Sequence, residues 1–559
     1  MTSRPTLRRW WKRTALAAAA LLAPWAAPAA EAQHPDDRSD AAIASGEERE
    51  AEGPRPAGPS APSVGRTRRA VSRAAFPPFV AGAIRVEGAT ALAPQAFAAA
   101  IEPYLGRQLS PADLRSLAGD VADAARAAGF GLATAWVPPQ SVTNGVLRVR
   151  VDEGRIEAVE ASGPAAAAVE RLLAGLTGEA PVRTAALERQ LLLAGDLAGV
   201  TVGRARLVRS DGRNILRVDT SRDRVQGRAS IDNWGTSAIG PVRARLSVDI
   251  AGILDFGDRL TVGGVVTPLQ PREFQLVQAA YSVPVGRRGT MATIRGHVSH
   301  SAAGAALRGR DLDGDSVEIE AGLSHPLVRS RARSLWGHVF FGLRDSDLNR
   351  AGVPLREDRI ASLSAGLYGS TRGGGGDSRG RLTLTQGFDL LGATEAGDPL
   401  ASRPDAGGAF TKLAFWGEHV RRLGGGVSVR FGAEGQIATR PLLASEEMGL
   451  GGREFGRGFD YREFSGDHGL AGSGELRFDL PSVPRPLRSL QLYAYGDAGR
   501  AWNRDGGSGG GSLASAGGGL RVALRNRLEA GIELGVPLTD GALDLRPDPR
   551  FSFTASSRF

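Results

Sequence analysis

The decisive stretch is "PVRARLSVDI", residues 241–250, in which Val242, Ala244, Leu246, Val248 and Ile250 alternate with Arg243, Arg245, Ser247 and Asp249. On an extended chain successive side chains point to opposite faces, so one face is wholly apolar and the other polar. The same alternation returns in "VSVRFGAEGQI" at 427–437, where Val427, Val429, Phe431, Ala433 and Ile437 oppose Ser428, Arg430, Glu434 and Gln436. "RLEAGIELGV" at 527–536 sets Leu528, Ala530, Ile532, Leu534 and Val536 against Arg527, Glu529 and Glu533. From about residue 223 onward there are about 16 such segments of about 10 residues each. Their centres fall near residues 230, 246, 261, 278, 293, 319, 339, 363, 383, 413, 431, 475, 493, 518, 532 and 554. A soluble sandwich would turn the apolar faces inward, but together they offer far more area than one sandwich core needs. A closed transmembrane barrel of about 16 antiparallel strands uses all of them. It gives a polar lumen, a lipid-facing apolar band and no unpaired backbone edge in lipid.

Upstream the period changes. "SPADLRSLAGDVADAARAAG" opens a helix, with Ser110 as N-cap, Pro111 at the first helical position and Asp113 closing the capping pattern. It lies between the strand "FVAGAIRVEG" and the strands "LATAWV" and "VLRVRVDEG", with a shorter helix expected around "PQAFAAAIEPYL". The order β-α-α-β-β is repeated in the next stretch: "RIEAVEA", helices over 165–176 and 184–197, then "GVTVGRARLV" and "NILRVDT" around Asp211-Gly212. The expected domains are thus 79–154, 155–222 and a barrel over 223–559.

The N-terminus reads as a secretory signal over residues 1–32. Arg4, Arg8, Arg9, Lys12 and Arg13 precede an apolar run, and small residues permit cleavage after Ala29 or Ala32. Residues 33–78 are Ala, Pro, Glu and Arg with few large apolar side chains, the composition of a disordered linker or of a plug segment that orders only when docked. No run of 18 apolar residues follows the signal, so no membrane-spanning helix is expected. There are no cysteines, which excludes disulfides, thiolate metal sites and thiol nucleophiles. The net charge of +9 is spread over both signs along the chain, so no nucleic-acid partner is expected.

Several chemical motifs fail on inspection. Asp311, Asp313 and Asp315 alternate as in a calcium loop but lack the closing Glu, which leaves a polar external turn. "GGGG" at 373–376 is not followed by Lys-Ser/Thr, and the only lysines are Lys12 and Lys412, so there is no phosphate loop. His297 and His300 fall on opposite faces of a strand. Lumen carboxylates make acid pairs common by chance, and no catalytic residue, metal or cofactor is assigned.

The remaining puzzle is "GGREFGRGFDYREFSGDHG", residues 451–469, too rich in Gly and charge for a strand and too aperiodic for a helix. It belongs to a loop over 438–469, and a loop that long normally has a function. On the strand centred at 493, Leu490, Leu492 and Ala494 face lipid if Gln491, Tyr493, Tyr495 and Asp497 face the lumen. If the loop enters that lumen, Arg457 finds Asp497 there, with Glu475 and Asp479 on the neighbouring strand, and a guanidinium–carboxylate bond can hold it. Otherwise Arg457 is one solvated arginine among many. Gly458 is expected to allow a tight turn behind it.

From Phe79 to Phe559 the chain resembles the two-partner secretion transporter family (TpsB), in which two periplasmic POTRA domains precede a 16-stranded outer-membrane barrel. "VPPQSVTNGVLRVRVDEGRI" carries the family's pattern at Pro138, Gln140, Gly145, Glu153 and Gly154, residues expected to shape the first POTRA domain. Asp232, Asn233 and Gly235 resemble its barrel-start D-N-x-G, and Tyr281 and Pro284 its Y-x-x-P. Arg457, Gly458 and Phe459 resemble the tip of the family's inward-folded loop, with Gly456 where Val is usual. Tyr495 and Asp497 match the aromatic-x-Asp that receives the tip, with Tyr for the commoner Phe. The terminal Phe559 is expected as an assembly signal for the barrel-assembly machinery.

The resemblance implies an outer-membrane protein of a Gram-negative bacterium, in contact with membrane lipids. It would bind an unfolded exoprotein through its POTRA domains and export it without ATP hydrolysis and without being an enzyme. The exoprotein would be an adhesin- or cytolysin-like protein encoded nearby. The alternative within the wider superfamily is a membrane-protein assembly or insertion factor, although such factors usually carry more than two POTRA domains. Many members begin with a plug helix. Residues 33–78 show no clear amphipathic pattern for one, Thr67–Ala75 offering at most a short turn.

Overall fold

The computed structural model describes residues 64–66 and 79–559, apart from 143, 505–508, 525–526 and 543–544. The signal segment and nearly all of the expected linker, Thr67–Ala75 included, lie outside the described residues. The exception is Val64–Arg66, a short strand that pairs in parallel with Ala205–Leu207 of the second α+β module.

Each module packs two helical segments on a small sheet. In the first, α1 (Pro111–Ala127) starts at Ser110, whose hydroxyl accepts from the Asp113 amide while the Asp113 carboxylate accepts from the Ser110 amide. That reciprocal cap satisfies two N-terminal donors. The buried stripe Leu114, Leu117, Val121 and Ala125 packs on Leu147 and Val149 of the strand Val146–Asp152, with Phe97 and Phe130 closing the core. The second module carries α2 (Ala166–Leu173) and α3 (Thr184–Asp196) over strands Val200–Ser210 and Arg213–Arg222. Asp211 and Gly212 join those strands with φ of 52° and 79°, the left-handed pair that a tight hairpin needs. The modules are tied together where the Thr184 hydroxyl accepts from the Gly131 amide (2.7 Å) and donates to the Gly129 carbonyl (3.0 Å).

Sixteen strands then form one closed antiparallel barrel. They begin with β1 (Val225–Asp232), β2 (Arg243–Ala251), β3 (Arg259–Val266), β4 (Phe274–Val285), β5 (Thr290–Ala302) and β6 (Leu312–Arg329). Next come β7 (Arg333–Arg350), β8 (Val353–Gly373), β9 (Gly376–Phe388), β10 (Thr411–Gly424) and β11 (Val427–Ala438). The ring closes through β12 (His468–Asp479), β13 (Leu487–Trp502), β14 (Gly511–Leu524), β15 (Leu528–Pro537) and β16 (Arg550–Arg558). All sixteen expected centres fall inside these strands. Asp313 and Asp315, expected in an external turn, lie instead within β6, which begins at Leu312.

Apolar side chains from successive strands, such as Leu246, Val277, Ile294, Val339, Phe431 and Leu492, stand exposed on the outer wall. In water such a belt would be a large aggregation surface, whereas in a bilayer it is the lipid contact. Among the described residues no helix is long and apolar enough to cross a membrane.

The second module is seated on the barrel's near rim. Asp196 at the end of α3 accepts a two-pronged bond from Arg329, with Nε and Nη2 each at 2.8 Å. Glu188 accepts the Arg331 amide at 2.7 Å, and Arg171 stacks over Phe256 at 4.5 Å. That last turn is braced from inside by Asp258, which accepts from the amides of Ile253, Leu254 and Phe256 and from the hydroxyl of Tyr281.

Candidate functional site

The chain between β11 and β12, residues 439–467, starts at the rim farthest from the modules and folds down into the lumen. Its composition argues against strands, yet Met448–Leu450 and Phe464–Gly466 pair as a two-stranded ribbon. The ribbon forms because Met448, Leu450 and Phe464, with Phe455 and Phe459, bury themselves against Ala471, Ala501 and Leu513 of the wall. A loop with its own apolar core can order without a long ladder.

At its tip Arg457 is 4 % exposed. Its Nε lies 3.1 Å from Asp497 on β13, and its Nη1 lies 2.8 Å from Glu475 on β12 and 3.4 Å from Glu533 on β15. The guanidinium carbon also lies over the Tyr495 ring, 3.3 Å from its centroid. Glu475 takes two further arginines, Arg477 (2.6 Å) and Arg521 (2.6 Å), and Arg521 stacks over Tyr493 at 3.7 Å. Glu533 accepts the Tyr493 hydroxyl at 2.7 Å, and Asp497 accepts the Ser515 hydroxyl. Three carboxylates thus face three guanidiniums, the balance that ions excluded from water require.

Glycines make room for this layer. A Cβ on Gly517 or Gly519 would lie 2.6 or 2.7 Å from the hydroxyl of Tyr495 or Tyr493, and one on Gly535 would lie 2.8 Å from the Arg457 carbonyl.

Gly458 is needed for a different reason from the one expected. Its φ is not left-handed; instead a Cβ there would sit 2.9 Å from the Pro537 nitrogen and 3.0 Å from Ser515 Cβ. It is small because the tip presses against β14 and β15. The turn belongs to Gly456, at φ 79°, so Gly at that position in place of Val matches the backbone here. Phe459 is fully buried.

Asp479 does not join the tie. It lies four residues beyond Glu475 along β12, roughly 13 Å at strand rise, and accepts instead from Gln491 at 2.8 Å. Glu533 takes the third place. It was legible as a lumen-facing residue of its strand, but nothing local said that its depth matched Arg457.

Further ties hold the loop. Glu446 meets Arg344 of β7 (3.0 Å) and Lys412 of β10 (2.7 Å), while Glu318 of β6 holds Arg344 from the other side (2.6 Å). Arg403, from the connection between β9 and β10, spans Glu447 (2.9 Å) and Asp467 (2.7 Å). Asp460 meets Arg550 of β16 (2.8 Å). Leu442 and Leu443 share a buried cluster with Ala401, Ala406 and Phe410, so two connections close the far mouth together.

The other motif residues are structural at short range. Glu153 accepts from the amides of Thr90 (2.8 Å), Ala91 (2.9 Å) and Leu92 (2.7 Å) and from the Thr90 hydroxyl (2.9 Å). Burial alone would raise its carboxyl; those bonds outweigh burial and hold it below the usual carboxylate range. Gln140 uses its amide as a peptide surrogate, donating to the Arg148 carbonyl (2.7 Å) and accepting from the Arg148 amide (2.9 Å), while also donating to Pro138 O (3.3 Å). The Gly145 carbonyl accepts from the amides of Gly82 and Ala83, and a Cβ on Gly154 would strike Leu132 at 2.4 Å. At the barrel start Asp232 pairs with Arg245 and caps the Trp234 amide, Asn233 bonds across to β16, and Gly235 has no room for a side chain beside the Gly240 carbonyl and Arg243. Phe559 exchanges backbone bonds with Gly227 at 2.8 and 3.0 Å. His297 is buried and His300 exposed, on opposite faces of β5. Among the described residues no cluster could hold a metal ion.

Comparison with known proteins agrees with this architecture. Residues 213–522 match the family model described as haemolysin secretion/activation protein ShlB/FhaC/HecB, and residues 79–154 match the ShlB-type POTRA domain. The heme/hemopexin transporter protein HuxB of Haemophilus influenzae (strain 86-028NP) is 24% identical over 411 residues, covering 71% of each chain. The outer membrane transporter CdiB of Dickeya dadantii (strain 3937) is 23% identical over 452 residues, 76% of this chain and 77% of that one. Among solved structures, CdiB from Escherichia coli superposes with a TM-score of 0.73 at 21% identity, over 95% of this chain and 100% of that one. CdiB from Acinetobacter baumannii gives 0.64 at 16% identity, with coverage of 95% and 100%.

Proposed function

The chain belongs to the haemolysin secretion/activation protein family, an outer-membrane two-partner secretion transporter with its POTRA domains in the periplasm, and from that premise we propose that it exports an unfolded exoprotein through its own lumen. The observation that carries the proposal is the loop 439–467, which enters the lumen yet is held by ion pairs and a small apolar core instead of a continuous ladder. A plug of that kind is strong enough to close the pore and discrete enough to be withdrawn.

The exoprotein first meets the POTRA pair. The first module's sheet, ordered Ala83–Glu87, Val146–Asp152, Thr134–Trp136, leaves two edges to which an extended segment can add as a strand. The second module is pinned to the near rim by Asp196 and Arg329 and tied to the first through Thr184, so a segment captured by the pair is handed on toward the pore mouth. It then passes a lumen lined by Arg, Glu and Asp once the loop shifts, and folding outside prevents return. No ATP is consumed and no covalent chemistry is done: the protein is a transporter and not an enzyme. The cargo is adhesin- or cytolysin-like and encoded nearby, and Phe559 at the periplasmic end of the seam is the residue that the assembly machinery reads. The test is co-expression of the neighbouring secreted protein with and without this chain. Export only in its presence supports the reading; equal export in its absence refutes it.

A further inference from the structure

The pairing that closes the barrel is its shortest. β1 and β16 share five residue pairs, Arg228–Asp232 with Thr554–Arg558, whereas the next shortest neighbours share eight. Above Asp232 one long backbone bond, Asn233 N to Phe553 O (3.4 Å), is joined by side-chain bonds. The Asn233 amide group donates to the Phe551 carbonyl (2.8 Å) and accepts from the Phe553 amide (2.8 Å), and Arg550 Nη2 donates to the carbonyls of Asn233 and Gly235, each at 3.1 Å. The lumen loop then reaches across the gap. One oxygen of Asp460 takes Arg550 Nη1 from β16 (2.8 Å). The other takes the Ser237 amide (2.8 Å), the Ser237 hydroxyl (2.7 Å) and the Thr236 hydroxyl (3.3 Å), all from the turn that follows β1. Arg550 also donates to the Phe459 carbonyl at 3.1 Å.

We propose that the loop tip is also the clasp of the barrel: Asp460 staples the first strand to the last, so that withdrawing the loop loosens the seam. Only Gly458 and Phe459 lie between Arg457 and Asp460, so the tip cannot leave its carboxylate layer without also pulling the carboxylate from between β1 and β16. Arg550 then loses the Asp460 carboxylate and keeps the neutral carbonyls of Asn233 and Gly235, and the turn after β1 loses three bonds. The proposal rests on the export reading, because export is what withdraws the loop, and it adds that the pore widens at one defined place when it opens.

Amide hydrogen exchange on the full-length protein in lipid nanodiscs tests this without any exoprotein present. Asp460→Ala is expected to speed exchange at 228–232 and 554–558 by about tenfold or more, with the β8–β9 ladder unchanged and Asp460→Glu close to the parent. Arg457→Ala, which frees the same tip from β12, β13 and β15, is expected to speed the same seam amides. Unchanged seam amides in Asp460→Ala, or a uniform rise in every strand, overturns the clasp. Faster exchange of loop residues 448–466 in Arg457→Ala with the seam still protected overturns the coupling. Should Asp460→Ala not assemble, Asp460→Asn, which drops the charge facing Arg550, gives the same comparison. Failure here leaves the co-expression result standing, and failure of co-expression leaves the exchange result standing.

Discussion

Truncating Arg457 to Ala removes one guanidinium from a layer in which three acids and three arginines balance. Glu475 keeps Arg477 and Arg521, so the burden falls on Asp497 and Glu533, which lose the Arg457 guanidinium and keep the Ser515 hydroxyl with the residue-457 amide and the Tyr493 hydroxyl respectively. Stripping a buried ion of its partner costs about 3–5 kcal/mol, which moves the docked-to-undocked ratio of the loop by roughly 10²- to 10³-fold or more. The strand pairings other than β1–β16 keep their ladders, so the variant should still migrate as a folded, heat-modifiable band, while a loop that no longer holds its working position should release less exoprotein into the medium per folded barrel. Arg457→Lys keeps the charge but loses the fork and the stacking over Tyr495, and should fall between parent and Ala. The double variant Arg457→Ala/Asp497→Ala should be no worse than the worse single one, because the pair acts as one tie. Parental export by equal amounts of folded Arg457→Ala, or fully additive losses in the double variant, would refute the reasoning.

Gly458→Ala forces a Cβ to within 2.9 Å of the Pro537 nitrogen. A clash with backbone costs about 1–3 kcal/mol, and in the same export assay this variant should lose part of its activity although φ there suits any residue. Asp196→Ala leaves Arg329 without its two-pronged partner, at about 2–5 kcal/mol. It should broaden the distance between spin labels on the second module and the barrel, and an unchanged distribution would show that the other rim contacts suffice. Glu153→Gln tests linkage in the first module. The folded carboxyl is held below its unfolded pKa of about 4.3, so the stability it contributes is present above that value and is lost as pH falls through the folded pKa. The variant should lose about 2–3 kcal/mol of local protection in the strand Val146–Asp152 at pH 7, read by amide exchange, and should differ little from the parent in strong acid.

What could be read without coordinates shares one property: it depends only on near neighbours in the chain. Alternation at 241–250 decides which side chains face lipid, because a strand's period is two wherever the strand lies. The Ser110–Asp113 cap and the Asp211-Gly212 turn likewise close over a few residues. Parity alone placed Asp497 and Tyr495 in the lumen. Depth was not legible. Asp479 shares its parity with Glu475 but lies too far down the wall, and Glu533, 76 residues from Arg457, reaches it only because the strands are staggered around a closed ring. The same holds for Asp460 and Arg550, 90 residues apart, and for Gly458, whose smallness answers to the backbone of β15 and not to its own φ. The ribbon formed by 448–450 and 464–466 and the seat of 64–66 on the second module also depend on surfaces supplied by distant segments. Sequence alone therefore determined the barrel, its sidedness and the cation meant for its wall. The tertiary structure decided which acids receive that cation and that the same loop reaches the seam, since stagger and loop path are set by ring closure and not by any local pattern.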